Sequence, residues 1–164
     1  MKIFLCLLLF LFPNIKDIYA EANCRSAPEF RQFDFWIGEW NVHANGKLAG
    51  TSSIQLILDG CVIFENYSGA KGYQGKSFNI YNQSIKKWQQ IWVDNAGAVL
   101  QLTGSYTQGR MEYWGETKQN DGSVLKEKLV FHSLPNGQVR QVWEQSKDQG
   151  KTWNVVFDGV YSKK

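Results

Sequence analysis

The chain has 164 residues, 43% hydrophobic and 20% charged, which excludes a disordered chain and allows one domain with its own core. Its net charge of +3 comes from Lys and Arg interleaved with Asp and Glu, leaving no basic stripe to follow a phosphate backbone, so nucleic acid is not an expected partner. Aromatic residues are in excess at 15%, beside 15 Gly and 3 Pro, a profile that suits an all-β fold with glycine in its turns.

Residues 1–22 read as a segment apart. Met1-Lys2 is a positive start, Ile3 to Phe12 is an apolar run interrupted only by Cys6, and Pro13-Asn14 ends it. A membrane-spanning helix needs about 20 apolar residues, so this shorter run is expected to be a secretory signal. Cleavage is expected near Ala20 or Ala22, with Ala20-Glu21-Ala22 the better fit to a small-x-small site. The expected product is periplasmic or secreted, a single domain over 23–164 without stable membrane insertion. Lipid attachment at Cys24 is the alternative, with Glu21-Ala22-Asn23 a poor lead-in for it. Removing Cys6 with the signal leaves Cys24 and Cys61 as a pair in an oxidising compartment, where a disulfide is expected. The alternatives are two free thiols or a metal pair, and no companion Cys or His stands at ligand spacing.

In the mature region, a short helical turn is expected around Ala27 to Phe33. The stretch Phe33-Asp34-Phe35-Trp36-Ile37-Gly38-Glu39-Trp40 then packs four aromatics into eight residues. Beyond it, turn signals recur at Asn45-Gly46, Asp59-Gly60, Gly69 to Gly72, Asn82 to Ser84 and Asn95 to Gly97. They continue at Gln108-Gly109, Asn120 to Gly122, Pro135 to Gly137 and Asp148 to Gly150, making nine turns between ten candidate strands. No segment keeps a helical period, and no gap is long enough for a crossover helix. Consecutive hairpins give an up-and-down antiparallel meander, and closure into a β-barrel of eight to ten strands removes its exposed edges.

Alternation places Gly38, Trp40 and Val42 on one face, opposite Glu39, Asn41 and His43. It predicts Ile54, Leu56 and Leu58 on another shared face. Trp88, Gln90, Trp92 and Asp94 form a third, mixing tryptophans with an amide and an acid. Such a face suits the lining of a cavity, and simple core fill is the competing expectation.

Gly38-Glu39-Trp40, following a short helix and opening a β-meander, resembles the start of lipocalins and other calycin barrels. The resemblance implies that the glycine admits the helix closely and that the tryptophan plugs the closed end. It also implies an Arg or Lys from the last strands stacked on that tryptophan, with Arg140 and Arg110 as candidates. The fuller string from Phe33 to Trp40, with Trp88 to Asp94 and Gln141 to Gly159, resembles a family of exported bacterial proteins of unknown function over most of residues 28–162. That resemblance implies a calycin-like barrel and no activity. Haem barrels of the nitrobindin type share a ten-strand architecture, but their proximal histidine and glycine-rich opening have no counterpart placed here.

Ser146-Lys147-Asp148-Gln149-Gly150-Lys151-Thr152-Trp153 fits an Asp-box turn. Asp148 is expected to cap backbone amides, Gly150 to take the left-handed position and Trp153 to pack beneath, a structural role. His43 and His132, the two histidines, have no ligand-spaced companions, so neither a metal nor a cofactor is expected. No Gly-x-Ser-x-Gly elbow is present. The function expected is an exported barrel that binds a small apolar or amphipathic molecule. Its expected lining is Trp88, Gln90, Trp92, Tyr113 and Trp143, with Arg140 either locking Trp40 or meeting a ligand's acidic group. Gly38, Trp40, Cys24, Cys61, Asp148 and Trp153 are expected to be structural. The alternatives are a filled barrel acting as an interaction module, and an enzyme using Asp94 or Glu65 as a cavity acid/base.

Overall fold

The computed structural model describes residues 24–164, and the expected secretory segment with its cleavage sites lies outside them. A four-residue helix, α1 (Pro28–Arg31), and a 3-10 turn at Asp34–Trp36 lead into ten strands. These are β1 (Gly38–Ala44), β2 (Lys47–Ile57), β3 (Val62–Gly69), β4 (Gln74–Asn82) and β5 (Lys87–Asp94), followed by β6 (Val99–Thr107), β7 (Arg110–Lys118), β8 (Val124–Ser133), β9 (Val139–Ser146) and β10 (Asn154–Lys163). Each strand pairs antiparallel with its sequence neighbours, and β1 pairs with β10, closing the barrel. Hairpin turns set the register. At Asn45-Gly46 both residues have positive φ (51° and 71°), the backbone twist that a two-residue hairpin needs.

The end of the barrel facing α1 is packed solid. Phe33 and Trp36 enter from the N-terminal segment and are fully buried among inward side chains of the strands. Their rings stack at 5.0 Å between centroids, and each meets Phe131, at 5.0 Å for Phe33 and 4.6 Å for Trp36. Trp88 stands edge-on to Phe33 at 5.9 Å, and Tyr161 edge-on to Trp36 at 6.0 Å. Burying each ring contributes roughly 2–3 kcal/mol by area, with about 0.5–1.5 more per well-set aromatic pair. This explains part of the aromatic crowding in one short stretch: Phe33 and Trp36 form the stopper, with Phe35 packed against Phe33 at 5.3 Å.

Trp40 is tied to the stopper by its indole N–H, which donates to the Trp36 carbonyl at 2.8 Å. The cation on Trp40 is Lys163, its Nζ 3.8 Å from the ring centroid, and not Arg140 or Arg110. Lys163 is the direct cross-strand partner of Trp40 where β10 meets β1. Arg140 faces outward from β9 and pairs with Asp158, and Arg110 faces outward from β7 and pairs with Glu112. The Lys163 ammonium also donates to the Ile37 carbonyl at 2.7 Å. Gly38 leaves room for it: with φ at +140°, a Cβ there would both strain the backbone and collide with the Lys163 amine.

The predicted face of Ile54, Leu56 and Leu58 ends early. Ile54 is buried, but Leu58 is 70% exposed, because β2 stops at Ile57 and a 3-10 turn with Leu58 and Asp59 in left-handed conformations lifts the chain off the sheet. That turn anchors the N-terminal segment. Cys24 is disulfide-bonded to Cys61, at a sequence separation of 37 residues, and Arg31 donates to the Gly60 carbonyl at 2.5 Å. With its sulfur in this bond, Cys24 has no thiol to offer a lipid.

Replacing both Cys24 and Cys61 by Ser is expected to lower stability by about 3–4 kcal/mol in a urea unfolding curve, the loop-closure value for this span. The Lys163→Met variant keeps the aliphatic stem and is expected to cost about 0.5–1 kcal/mol, the scale of a partly exposed cation–π contact. Arg140→Met, measured beside it, should leave Trp40 unaffected.

Candidate ligand-binding site

Toward the opposite end, the inward side chains stop filling the barrel and leave a cavity of about 320 Å³. Small-molecule sites run from roughly 300 to 1,000 Å³, so the space fits a compact ligand. Tyr67 of β3, Tyr73 of the following turn and Trp92 of β5 make one wall, each pair of rings 6.3 Å apart between centroids. Trp143 of β9 and Val156 and Phe157 of β10 make the facing wall, with Leu100 of β6 at the edge. A bulge between Val155 and Phe157 shifts the register there. Glu65, Gln90, Leu129, Gln141 and Tyr161 form the floor.

The cavity exists because glycines stand behind its rings. A Cβ at Gly75 would run into the Trp92 indole and one at Gly159 into the Phe157 ring, while one at Gly50 would meet the Ser68 carbonyl of the neighbouring strand first and then the Tyr67 hydroxyl. At Gly75 and Gly159 an ordinary side chain would displace the Trp92 and Phe157 rings from the wall.

Polar groups on the floor are connected. Glu65 is 4% exposed and accepts hydrogen bonds from the hydroxyls of Ser52 at 3.0 Å and Ser77 at 2.9 Å. Asn79 donates to Ser77 at 3.0 Å and accepts from Gln90 at 2.9 Å and Tyr113 at 3.2 Å. The Tyr161 hydroxyl donates to Gln141 at 2.5 Å. Burial pushes the Glu65 carboxyl up to about 7, against the opposing pull of the Ser77 and Ser52 hydroxyls.

Two more carboxyl groups hold the wall residues in place. Glu127 is buried and accepts from the Trp143 indole at 2.7 Å and the Gln145 amide at 3.1 Å. Asp94 accepts from the Tyr73 hydroxyl at 2.8 Å and more weakly from the Trp92 indole at 3.4 Å. Desolvation would raise the Asp94 pKa, but the Ala98 amide, the Tyr73 hydroxyl and the Ala96 amide outweigh it and hold it low. The same contact contributes to raising Tyr73 to about 12, after desolvation.

Of the six residues expected to bind ligand, Gln90, Trp92 and Trp143 line this cavity. Trp88 and Tyr113 share the inward face but lie nearer the stopper, buried in the closed-end core. Trp88 donates to Gln32 at 3.0 Å. Arg140 is outside the barrel: β9 turns Val139, Gln141 and Trp143 inward, so period 2 sends Arg140 to solvent and a two-bond pairing with Asp158 at 2.8 and 2.7 Å. Tyr67, Tyr73, Leu100, Leu129, Gln141, Phe157 and Tyr161 were not singled out by sequence. Two strand-interior glycines, Gly75 and Gly159, were the available signal, since they stand against the Trp92 and Phe157 rings.

The Asp-box turn lies at the open rim but faces away from the cavity. Asp148 accepts from the Thr152 amide at 2.8 Å and hydroxyl at 2.6 Å, with Ser146 at 2.7 Å, and these bonds hold its pKa down to about 2. Trp153 packs edge-on against the outward Trp114 at 5.5 Å. His43 is exposed, and His132 is lowered by burial and by Arg110 and Arg140. Among the described residues, no three His, Cys, Asp or Glu side chains converge as a metal site.

The Glu65 carboxyl links stability to pH. It stays protonated in the fold up to about 7, whereas in the unfolded chain it ionises from its usual 4.5. Between these values the unfolded state binds fewer protons, so stability falls as pH rises, by up to roughly 3 kcal/mol, and levels off above the folded pKa. Unfolding curves from pH 4.5 to 8 are expected to show that fall in the native protein and to lose it in Glu65→Gln. Compared with known proteins, the chain matches no protein-family model and no curated protein.

Proposed function

We propose that this chain is an exported barrel whose open end holds a small, largely apolar molecule. The observation that carries this is the cavity: an aromatic-walled space of about 320 Å³ above a solid stopper, kept open by glycines behind its rings. A core selected only for stability would fill that space, because each unfilled volume forfeits dispersion contacts. A filled barrel acting through its rim alone is disfavoured on the same ground. Export is supported by the apolar segment ahead of residue 23 and by the Cys24–Cys61 disulfide, which suits an oxidising compartment. The closed ten-strand barrel also fits the calycin-like family that the Phe33 to Trp40 string resembles.

The raised Glu65 carboxyl favours one alternative, an enzyme using it as a general acid/base, because such groups work best with a pKa near the operating pH. A binder returns its ligand unchanged and an enzyme does not, so mass analysis of the ligand after incubation separates the two.

The neutral dye N-phenyl-1-naphthylamine is expected to brighten and saturate on binding the native protein at one dye per chain. Leu100→Trp, which places an indole at the cavity edge, is expected to weaken that binding at least about tenfold, or 1.4 kcal/mol. Its unfolding midpoint should stay near native, since Leu100 is only half-buried. An unsaturable native signal, or unchanged affinity in the variant, would remove the cavity as the binding site.

A further inference from the structure

We infer that the cavity selects an organic cation: an ammonium group carried on a small aromatic or aliphatic body. This rests on the binding-barrel reading above and specifies its ligand. The chemistry begins at Glu65. An ionised carboxylate offers about four acceptor positions, and the Ser52 and Ser77 hydroxyls occupy two of them. None of the ion pairs among the described residues involves Glu65. No Lys, Arg or His lines the cavity beside it. A buried carboxylate without a counter-ion is costly to ionise, and a ligand ammonium would remove that cost.

The walls favour the same sign of charge. Tyr67, Tyr73 and Trp92 form a triangle of rings, and Trp143 stands on the facing wall. Ring faces attract cations, most strongly where water is excluded. Asp94 accepts from Tyr73 and Trp92, and Glu127 from Trp143. The Asp94 carboxylate, held ionised by its donors, pushes electron density into the Tyr73 and Trp92 rings and makes their faces more negative. An anionic ligand would instead bring its charge against Glu65 and these same faces. The exposed lysines of the rim loops, such as Lys71 and Lys151, are screened over about 8–10 Å at physiological salt, so they tune encounter more than bound affinity.

Binding of a cation requires Glu65 to give up its proton, so affinity for an amine should rise with pH up to about 7. Tyr67 and Tyr161 are raised above their usual value by desolvation and by Glu65, and so stay neutral throughout.

The test is displacement of N-phenyl-1-naphthylamine by three probes of one shape: phenethylamine, 2-phenylethanol and 3-phenylpropionate. At about pH 8 the amine is expected to displace the dye at a concentration at least about tenfold below the alcohol, with the carboxylate weakest. Lowering the pH to about 5.5, where the amine stays charged, should reduce its advantage to within about threefold. Glu65→Gln should do the same at pH 8, and the pH series on the native protein decides the matter if that variant does not fold. Equal displacement by amine and alcohol, a preference for the carboxylate, or an amine preference indifferent to pH would each overturn the inference while leaving a binding barrel. Failure of the native protein to bind the dye or any probe would overturn both.

Discussion

Where β10 meets β1, Trp40 stands directly opposite Lys163, and the ammonium lies 3.8 Å from the indole centroid while donating to the Ile37 carbonyl. A sheet closed on itself has a single register to satisfy, because a one-residue slip at the closure would send every inward side chain of a strand to solvent. The Trp40–Lys163 pair marks that register where the first and last strands meet. Gly38 is required for it twice, by its positive φ and by the room it leaves for the amine. The indole is in turn held by the Trp36 carbonyl, so closing the barrel and seating the stopper are one packing event.

From that closure the interior divides into two halves with opposite rules. Near the stopper, large side chains meet large ones, and Phe33, Trp36, Trp40, Trp88, Tyr113 and Phe131 leave no room for a ligand. Near the open end, Trp92 and Phe157 stand against Gly75 and Gly159, where an ordinary side chain would displace the rings. The stabilising half offsets what the open half gives up: unfilled volume, a carboxyl buried without a counter-ion, and a second carboxylate at Glu127. Sites of this kind are commonly maintained at a cost in stability.

Much of the fold was legible in the sequence because turns are local. Asn45-Gly46 or Gln108-Gly109 needs only two residues to require left-handed backbone, and the connections fall at or beside such signals, except β4 to β5, where the left-handed residue is Lys86. The Cys24–Cys61 pairing followed from compartment and count. The site was harder to read, because depth along a strand is not encoded in alternation. Trp88, Gln90 and Trp92 share one face, yet the first belongs to the stopper and the other two to the cavity. Arg140 was misplaced for a different reason: without the register of β9 its parity was unknown, and Gln141, one residue on, is the inward group. Lys163 is not legible as the partner of Trp40 because their contact exists only once β10 closes on β1.

The three carboxylates around the cavity divide the chemistry between them. Asp94 and Glu127 receive the indole and phenol donors of Tyr73, Trp92 and Trp143, so they act on an occupant through the rings and fix where those rings stand. Glu65 alone among them lines the space itself. Its environment is balanced: desolvation favours the neutral acid, while Ser52 and Ser77 favour the anion, and the two tendencies meet near neutral pH. A group balanced this closely changes state in response to whatever enters. On the proposed reading, a cationic occupant would shift it to the carboxylate and a neutral one would leave it protonated, so the ligand itself would set the charge of the floor that receives it.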